Sequence, residues 1–202
     1  MPRPAYSAEQ RENLEKNILD QAAELFAKQG LRNVSMRNIA SSLGWTATTL
    51  YRYYKNKDAL IAAIRVKGFQ QMEEILAESR QAGDGVAVIN AAMTAYLHFA
   101  TDQPHMFRLL YELDQGEVTE HPTVVVARQS AFSQAANIAQ FLLDDLTLTG
   151  EPNETAHLMW IAGHGLATLA LANQLDLGKN IDDLTMPVTK MFLHGIGYKG
   201  EH

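Results

Sequence analysis

Apolar residues recur at three- and four-residue spacing along almost the whole chain, and capping residues divide them into helices. Met36, Ile39, Ala40 and Leu43 follow Ser35, a good N-cap, and stop at Gly44, where a helix end takes a left-handed residue. Thr46 is a second N-cap opening a short segment anchored by Leu50 and Tyr54, and Asn56 caps the helix that begins Lys57-Asp58-Ala59-Leu60. Upstream, Ser7-Ala8-Glu9-Gln10 forms a capping box for a first helix running through Leu14, Ile18, Ala22 and Leu25 to Gly30. Downstream of Asn56, the residues Ile61, Ile64, Met72, Ile75 and Leu76 sustain one face until Gly83-Asp84-Gly85. Further helices are predicted near 86–101, 104–114, 122–147, 153–174 and 181–197, with breaks at Asp102-Gln103-Pro104, Gly116 through Pro122, Gly150 through Asn153, and Gly178-Lys179-Asn180. Val124-Val125-Val126 is the one strand-like run, and it reads as helix because it follows Pro122. The expected fold class is all-α with about nine helices. A three-helix helix-turn-helix domain is expected over residues 1–60 and a helical domain over 61–202, joined by a continuous helix.

Two short helices joined by so tight a glycine turn must cross steeply, a geometry that lets the second enter a DNA major groove. Charge sharpens that expectation. No acidic residue occurs from Leu25 through Lys57, while Lys28, Arg32, Arg37, Arg52, Lys55 and Lys57 are basic. Residues 1–60 hold nine Lys/Arg against six Asp/Glu, and the remainder holds eight against seventeen, so the net charge of −6 hides a basic head on an acidic body. Phosphate affinity needs that local excess rather than a basic whole.

The stretch from about Asn17 to Ile64 resembles the N-terminal domain of the TetR family of bacterial transcriptional regulators. The match is carried by Phe26, Gly30 and Val34, by Ser35-Met36-Arg37-Asn38-Ile39-Ala40, and by Leu50-Tyr51-Arg52-Tyr53-Tyr54-Lys55-Asn56-Lys57. It covers about a quarter of the chain. A second segment, Trp160-Ile161-Ala162-Gly163-His164-Gly165, is similar to the Trp-x-x-x-His-Gly segment of one C-terminal subgroup of that family, here called WHG-like. The resemblance implies a homodimer that binds a palindromic operator in double-stranded DNA and answers to a small-molecule effector of unknown identity. A repressor is the leading expectation; an activator, or a regulator governed by a protein partner without an effector, is the alternative.

In the recognition helix Leu50 is expected to point inward, turning Ala47, Thr48, Thr49 and Tyr51 toward DNA. Ala47 and the threonine methyls suit thymine methyl groups, and the threonine hydroxyls suit bases or phosphates. Arg37 is placed to reach a guanine edge or a phosphate, and the resemblance favours the base. Tyr51, Tyr53 and Lys57 are assigned to phosphates, Lys57 with help from the amides at the start of its helix. Ser35 and Thr46 complete the expected DNA-facing set. Tyr54 is expected in the core, and Trp45, in the turn, against the first helix.

Dimer pairing is assigned to the last two helices: Gly165 and Leu169 on one, and Val188, Met191, Phe192 and Gly195 on the other. Tyr96, Phe107, Tyr111, Trp160 and His164 are the candidate lining of an effector pocket. His157 and His164, seven residues apart, are read as structural rather than metal-binding, because helical metal ligands more often sit four apart beside a carboxylate. No cofactor is expected. The chain has no cysteine, which excludes a disulfide frame or a Cys-ligated zinc site. It contains neither a Gly-rich phosphate loop nor HExxH or GxSxG, so an enzyme is not expected. Without an apolar leader at the N-terminus or a membrane-length apolar run, the protein is expected to be cytoplasmic and away from membranes.

Overall fold

The computed structural model describes residues 7–111, 121–176 and 178–200. All regular structure among them is helical: α1 (Ala8–Gln29), α2 (Met36–Ser42), α3 (Ala47–Leu50), α4 (Lys57–Ser79), α5 (Gly85–Asp102), α6 (Pro104–Tyr111), α7 (Pro122–Asp145), α8 (Pro152–Leu171) and α9 (Ile181–Gly195). Helix starts fall where the capping residues put them. Ser7, Ser35 and Asn180 each form a reciprocal capping box with the residue three positions on, and the Asn56 side chain accepts from the Ala59 amide at 2.8 Å. Each such cap stabilises its helix by roughly 1 kcal/mol. The Val124-Val125-Val126 run lies within α7, as expected of a segment just after Pro122. Residues 112–114 of the expected sixth helix, and most of the following break, lie outside the described residues.

The chain forms two compact units, one of Met1–Gly68 with His105–Val124, the other of Phe69–Pro104 with Val125–His202. The division falls inside α4, which runs unbroken from Lys57 to Ser79. The first unit therefore adds α6 to the N-terminal helices. Its core includes Ile18, Ala22, Phe26, Ile39, Leu50, Leu60 and Ile64, all fully buried. Gly68 of α4 lies close under α6: a Cβ there would meet Met106 Sδ at 2.9 Å and Leu110 Cδ2 at 3.0 Å.

In the second unit α5, α8 and α9 pack on one another. Ile89, Leu97, Ile138 and Ala167 are among its fully buried residues. The start of α5 sits against the end of α7, where the Gly85 amide donates to Asp145 Oδ2 at 2.8 Å. Arg80 lies over the Phe141 ring, 3.5 Å from its centroid. Within the described residues no helix is long and apolar enough to cross a membrane.

Candidate nucleic-acid interface

The α2–α3 pair is built from local hydrogen bonds and one deep anchor. Ser35 Oγ accepts from the Asn38 amide at 3.2 Å, and Asn38 Oδ1 accepts from the Ser35 amide at 2.9 Å and from the Ser35 hydroxyl. Gly44 closes the turn at φ +70°, a left-handed conformation that glycine adopts without strain. The Trp45 amide then donates to the Ala40 carbonyl at 2.8 Å. Thr46 Oγ1 caps α3 by accepting from the Thr49 amide at 3.2 Å, with the two threonine hydroxyls 3.0 Å apart. Four residues are too few for a helix to persist alone. Leu50, fully buried, fastens α3 to the core at a gain of about 1.5–3 kcal/mol.

Tyr54 is buried as expected, and its hydroxyl donates to Glu15 Oε1 at 3.3 Å, joining the end of the motif to α1. Burial, followed by the nearby Glu15 carboxylate, pushes the Tyr54 phenol far above its ordinary range. It therefore stays neutral and keeps donating at any physiological pH.

On the outer side, Ser35, Arg37, Thr46, Thr48, Tyr51 and Tyr53 are exposed, and Ala47 and Thr49 are half-buried. Lys57, the ninth expected DNA-facing residue, is half-buried like Ala47 and Thr49. Its Nζ donates to the carbonyls of Leu31 at 2.8 Å and Val34 at 3.2 Å, so the ammonium holds the α1–α2 connection, a role the spacing did not announce. Carbonyls beyond a helix end need donors, and a half-buried lysine at the start of α4 supplies one. Trp45, half-buried, stacks its ring on Tyr53, with centroids 5.6 Å apart and planes 29° from parallel. Nothing in the spacing of Trp45 and Tyr53 announces that contact.

Basic charge on this unit is partly offset at its edge. Lys28 Nζ lies 2.5 Å from Glu24 Oε1, and that hydrogen bond and charge hold the Glu24 carboxyl below its ordinary range. Both groups are exposed, so the pair contributes little to stability.

In the second unit three of the expected effector residues meet. The Trp160 indole N–H donates to the Tyr96 hydroxyl oxygen at 3.1 Å, and that hydroxyl lies 2.9 Å from His164 Nδ1. Which of the phenol and the imidazole donates in that second contact follows the imidazole tautomer. The intervening Gly163 lies in close approach to α5: a Cβ would meet Met93 Sδ at 2.9 Å and Tyr96 Cδ1 at 3.4 Å, so the Met93 side chain would have to shift. Phe107 and Tyr111 belong to the first unit, with ring centroids 5.0 Å apart. His157 uses Nδ1 on the Asn153 carbonyl at 2.6 Å and packs its ring 4.4 Å from that of Phe132, while His164 faces Tyr96.

The residues expected to pair on α8 and α9 differ in burial. Phe192, expected on the dimer surface, is buried within the protomer beside Thr189 and Leu193. The expected stripe on α9 spans about 100° at 100° per residue, and its Phe192 side turns inward. Met191 and Gly195 remain exposed, and Val188 is half-buried. On α8, Gly165 and Leu169 are exposed together with Leu158 and Ile161, which the sequence reading did not single out. Leu158, Ile161, Gly165 and Leu169 fall on one face of α8, and Ile161 is 65% exposed.

Two short helices closed by a glycine turn, the second one accessible, on a basic unit joined to a helical body, define a helix-turn-helix DNA-binding regulator. Comparison with known proteins agrees. Residues 18–64 match the bacterial regulatory proteins of the tetR family. Residues 89–191, more than half of the chain, match the tetracyclin repressor-like C-terminal domain. An uncharacterized HTH-type transcriptional regulator of Haemophilus influenzae is 23% identical over 179 residues, covering 85% of this chain and 82% of that protein. Among solved structures, a protein of unknown function from Rhodococcus sp. RHA1 is 22% identical with a TM-score of 0.79, covering 97% of this chain and 98% of the other. AibR in complex with isovaleryl coenzyme A and operator DNA is 20% identical with a TM-score of 0.68, covering 88% and 96%. The chain belongs to the TetR family: it is a DNA-binding transcriptional regulator and not an enzyme.

Proposed function

We propose that this regulator works as a cytoplasmic homodimer on a palindromic operator, as a repressor released by a small-molecule effector. The observation that carries the dimer is the apolar face left on α8 and α9, where Leu158, Ile161, Leu169 and Met191 are exposed around Gly165 and Gly195. A lone helix-turn-helix unit offers too little interface for tight specific binding, and a two-fold pair reads two half-sites about one helical turn apart. Arg37 and Thr49 read bases, while Tyr51 and Tyr53 meet phosphates.

For the effector site, Tyr96, Trp160 and His164 are the residues to test, in a C-terminal domain of the WHG-like kind. AibR, solved with both an acyl coenzyme A and operator DNA, supports the idea that this fold accommodates both functions. Coupling through the continuous α4 need be only about 1–3 kcal/mol to change operator affinity roughly 5–150-fold.

The test is selection of a duplex from a random pool with the full chain, followed by a metabolite screen for its release. A palindrome with half-sites one turn apart is expected, with affinity falling steeply as salt rises. Substituting Arg37 or Thr49 by Ala should cost about 1–3 kcal/mol at the selected site and little on random duplex. Tight monomeric binding to an asymmetric site would defeat the dimer reading, and a regulator that no metabolite releases would favour control by a protein partner.

A further inference from the structure

We propose that Trp45 is a positioning residue for DNA binding, holding the Tyr53 ring so that its hydroxyl meets a backbone phosphate. The inference rests on the DNA-facing reading of α3 and adds a residue to it. Trp45 directly precedes Thr46, the N-cap of α3, and Tyr53 follows Tyr51, its C-terminal cap. Their stacked rings, 5.6 Å apart and within 29° of parallel, therefore bridge the chain just before and just after a four-residue helix. The backbone under Trp45 is itself fixed, because its amide donates to the Ala40 carbonyl at the end of α2. The indole is thus mounted on α2, and the tyrosine leans on it.

Tyr53 is 46% exposed, so without the indole its side chain would be free to change rotamer in water. Hydrogen bonding to a phosphate requires one rotamer, and the entropy of selecting it would then be lost on binding. Stacking removes most of that loss beforehand. The contact made by a phenol hydroxyl is neutral and independent of sequence, which distinguishes it from both base reading and ion pairing.

Full-length protein and its Trp45→Ala, Trp45→Phe, Tyr53→Phe and Trp45→Ala/Tyr53→Phe variants are titrated with the selected duplex and with a random duplex over a range of salt. Trp45→Ala should weaken both duplexes by the same factor, about 2- to 10-fold, with the salt slope unchanged. Trp45→Phe keeps a ring and should recover most of the loss. In the Tyr53→Phe background, Trp45→Ala should cost little more, because the hydroxyl it positions is already gone. Losses that simply multiply would overturn the proposal, as would a loss confined to the selected duplex or a flattened salt slope. Should Trp45→Ala lower the melting temperature sharply, the folded Trp45→Phe variant and the Tyr53→Phe variant still decide it. Tyr53→Phe binding as well as the parent sinks the positioning role alone, whereas loss of duplex binding by the parent itself would sink the DNA-facing reading as well.

Discussion

Lys57 Nζ donates to the Leu31 carbonyl oxygen at 2.8 Å, across 26 positions of sequence. With the second bond to Val34, the ammonium clamps the first turn of α4 to the chain leaving α1. Lys57→Met should destabilise the protein by about 1–3 kcal/mol in urea denaturation, the usual cost of removing a charged donor from part-buried acceptors. Its effect on DNA affinity should be the same for every sequence. A variant with unchanged stability and a salt slope reduced by one unit would return Lys57 to the phosphates.

Tyr54 gives the fold an alkaline limit. Its phenol ionises far above its ordinary range in the folded state, through burial and the Glu15 carboxylate, but near pH 10 once unfolded. The folded state therefore holds its proton more tightly, so this contribution is fully present below about pH 10 and declines as pH rises further. Tyr54→Phe should flatten the fall in melting temperature above pH 10 relative to the parent. Identical pH profiles for the two proteins would show that other groups govern alkaline unfolding.

Gly163 and Gly165 differ sharply although two residues apart. Gly163→Ala forces a methyl to 2.9 Å from Met93 Sδ, and a loss of about 1–3 kcal/mol should follow from overpacking. Among the described residues, apart from its chain neighbours and its own helix backbone, nothing lies within 4 Å of a Cβ at Gly165. Gly165→Ala should therefore leave the fold intact or gain up to about 1 kcal/mol from helix propensity. Thermal melts at low protein concentration compare them, and equal destabilisation would contradict the packing described.

Ile161→Glu places a charge in the middle of the exposed α8 face. Sedimentation should give a dimer for the parent and a folded monomer for the variant, since burying an unpaired carboxylate costs several kcal/mol. Operator affinity should fall with it, while the helical circular dichroism signal stays the same. An Ile161→Glu variant that still sediments as a dimer would place the interface away from this face.

Much of the architecture was legible in the sequence because the signals for it are local. Ser35 with Asn38, Thr46 with Thr49, and Asn56 with Ala59 are all three residues apart, so a helix start can be read without knowing what the helix packs on. The acid-free window marked the DNA-reading unit for the same reason, since charge accumulates along the chain whatever its fold. Leu50 and Tyr54 were placed in the core correctly because one apolar anchor per turn leaves little choice.

What the tertiary structure alone decided lies in contacts between distant positions. Lys57 satisfies carbonyls 26 and 23 residues away, and Tyr96 reaches His164 across 68. A lysine at a helix start looks the same in sequence whether it faces phosphate or backbone oxygen. Periodicity likewise identified the α9 stripe but could not divide it, because apolar residues facing the protomer core and those left exposed have the same chemistry. Phe192 turns inward and Met191 outward because their directions on α9 differ by about 100°, and only the packing of α5 and α8 says which of those directions is inside.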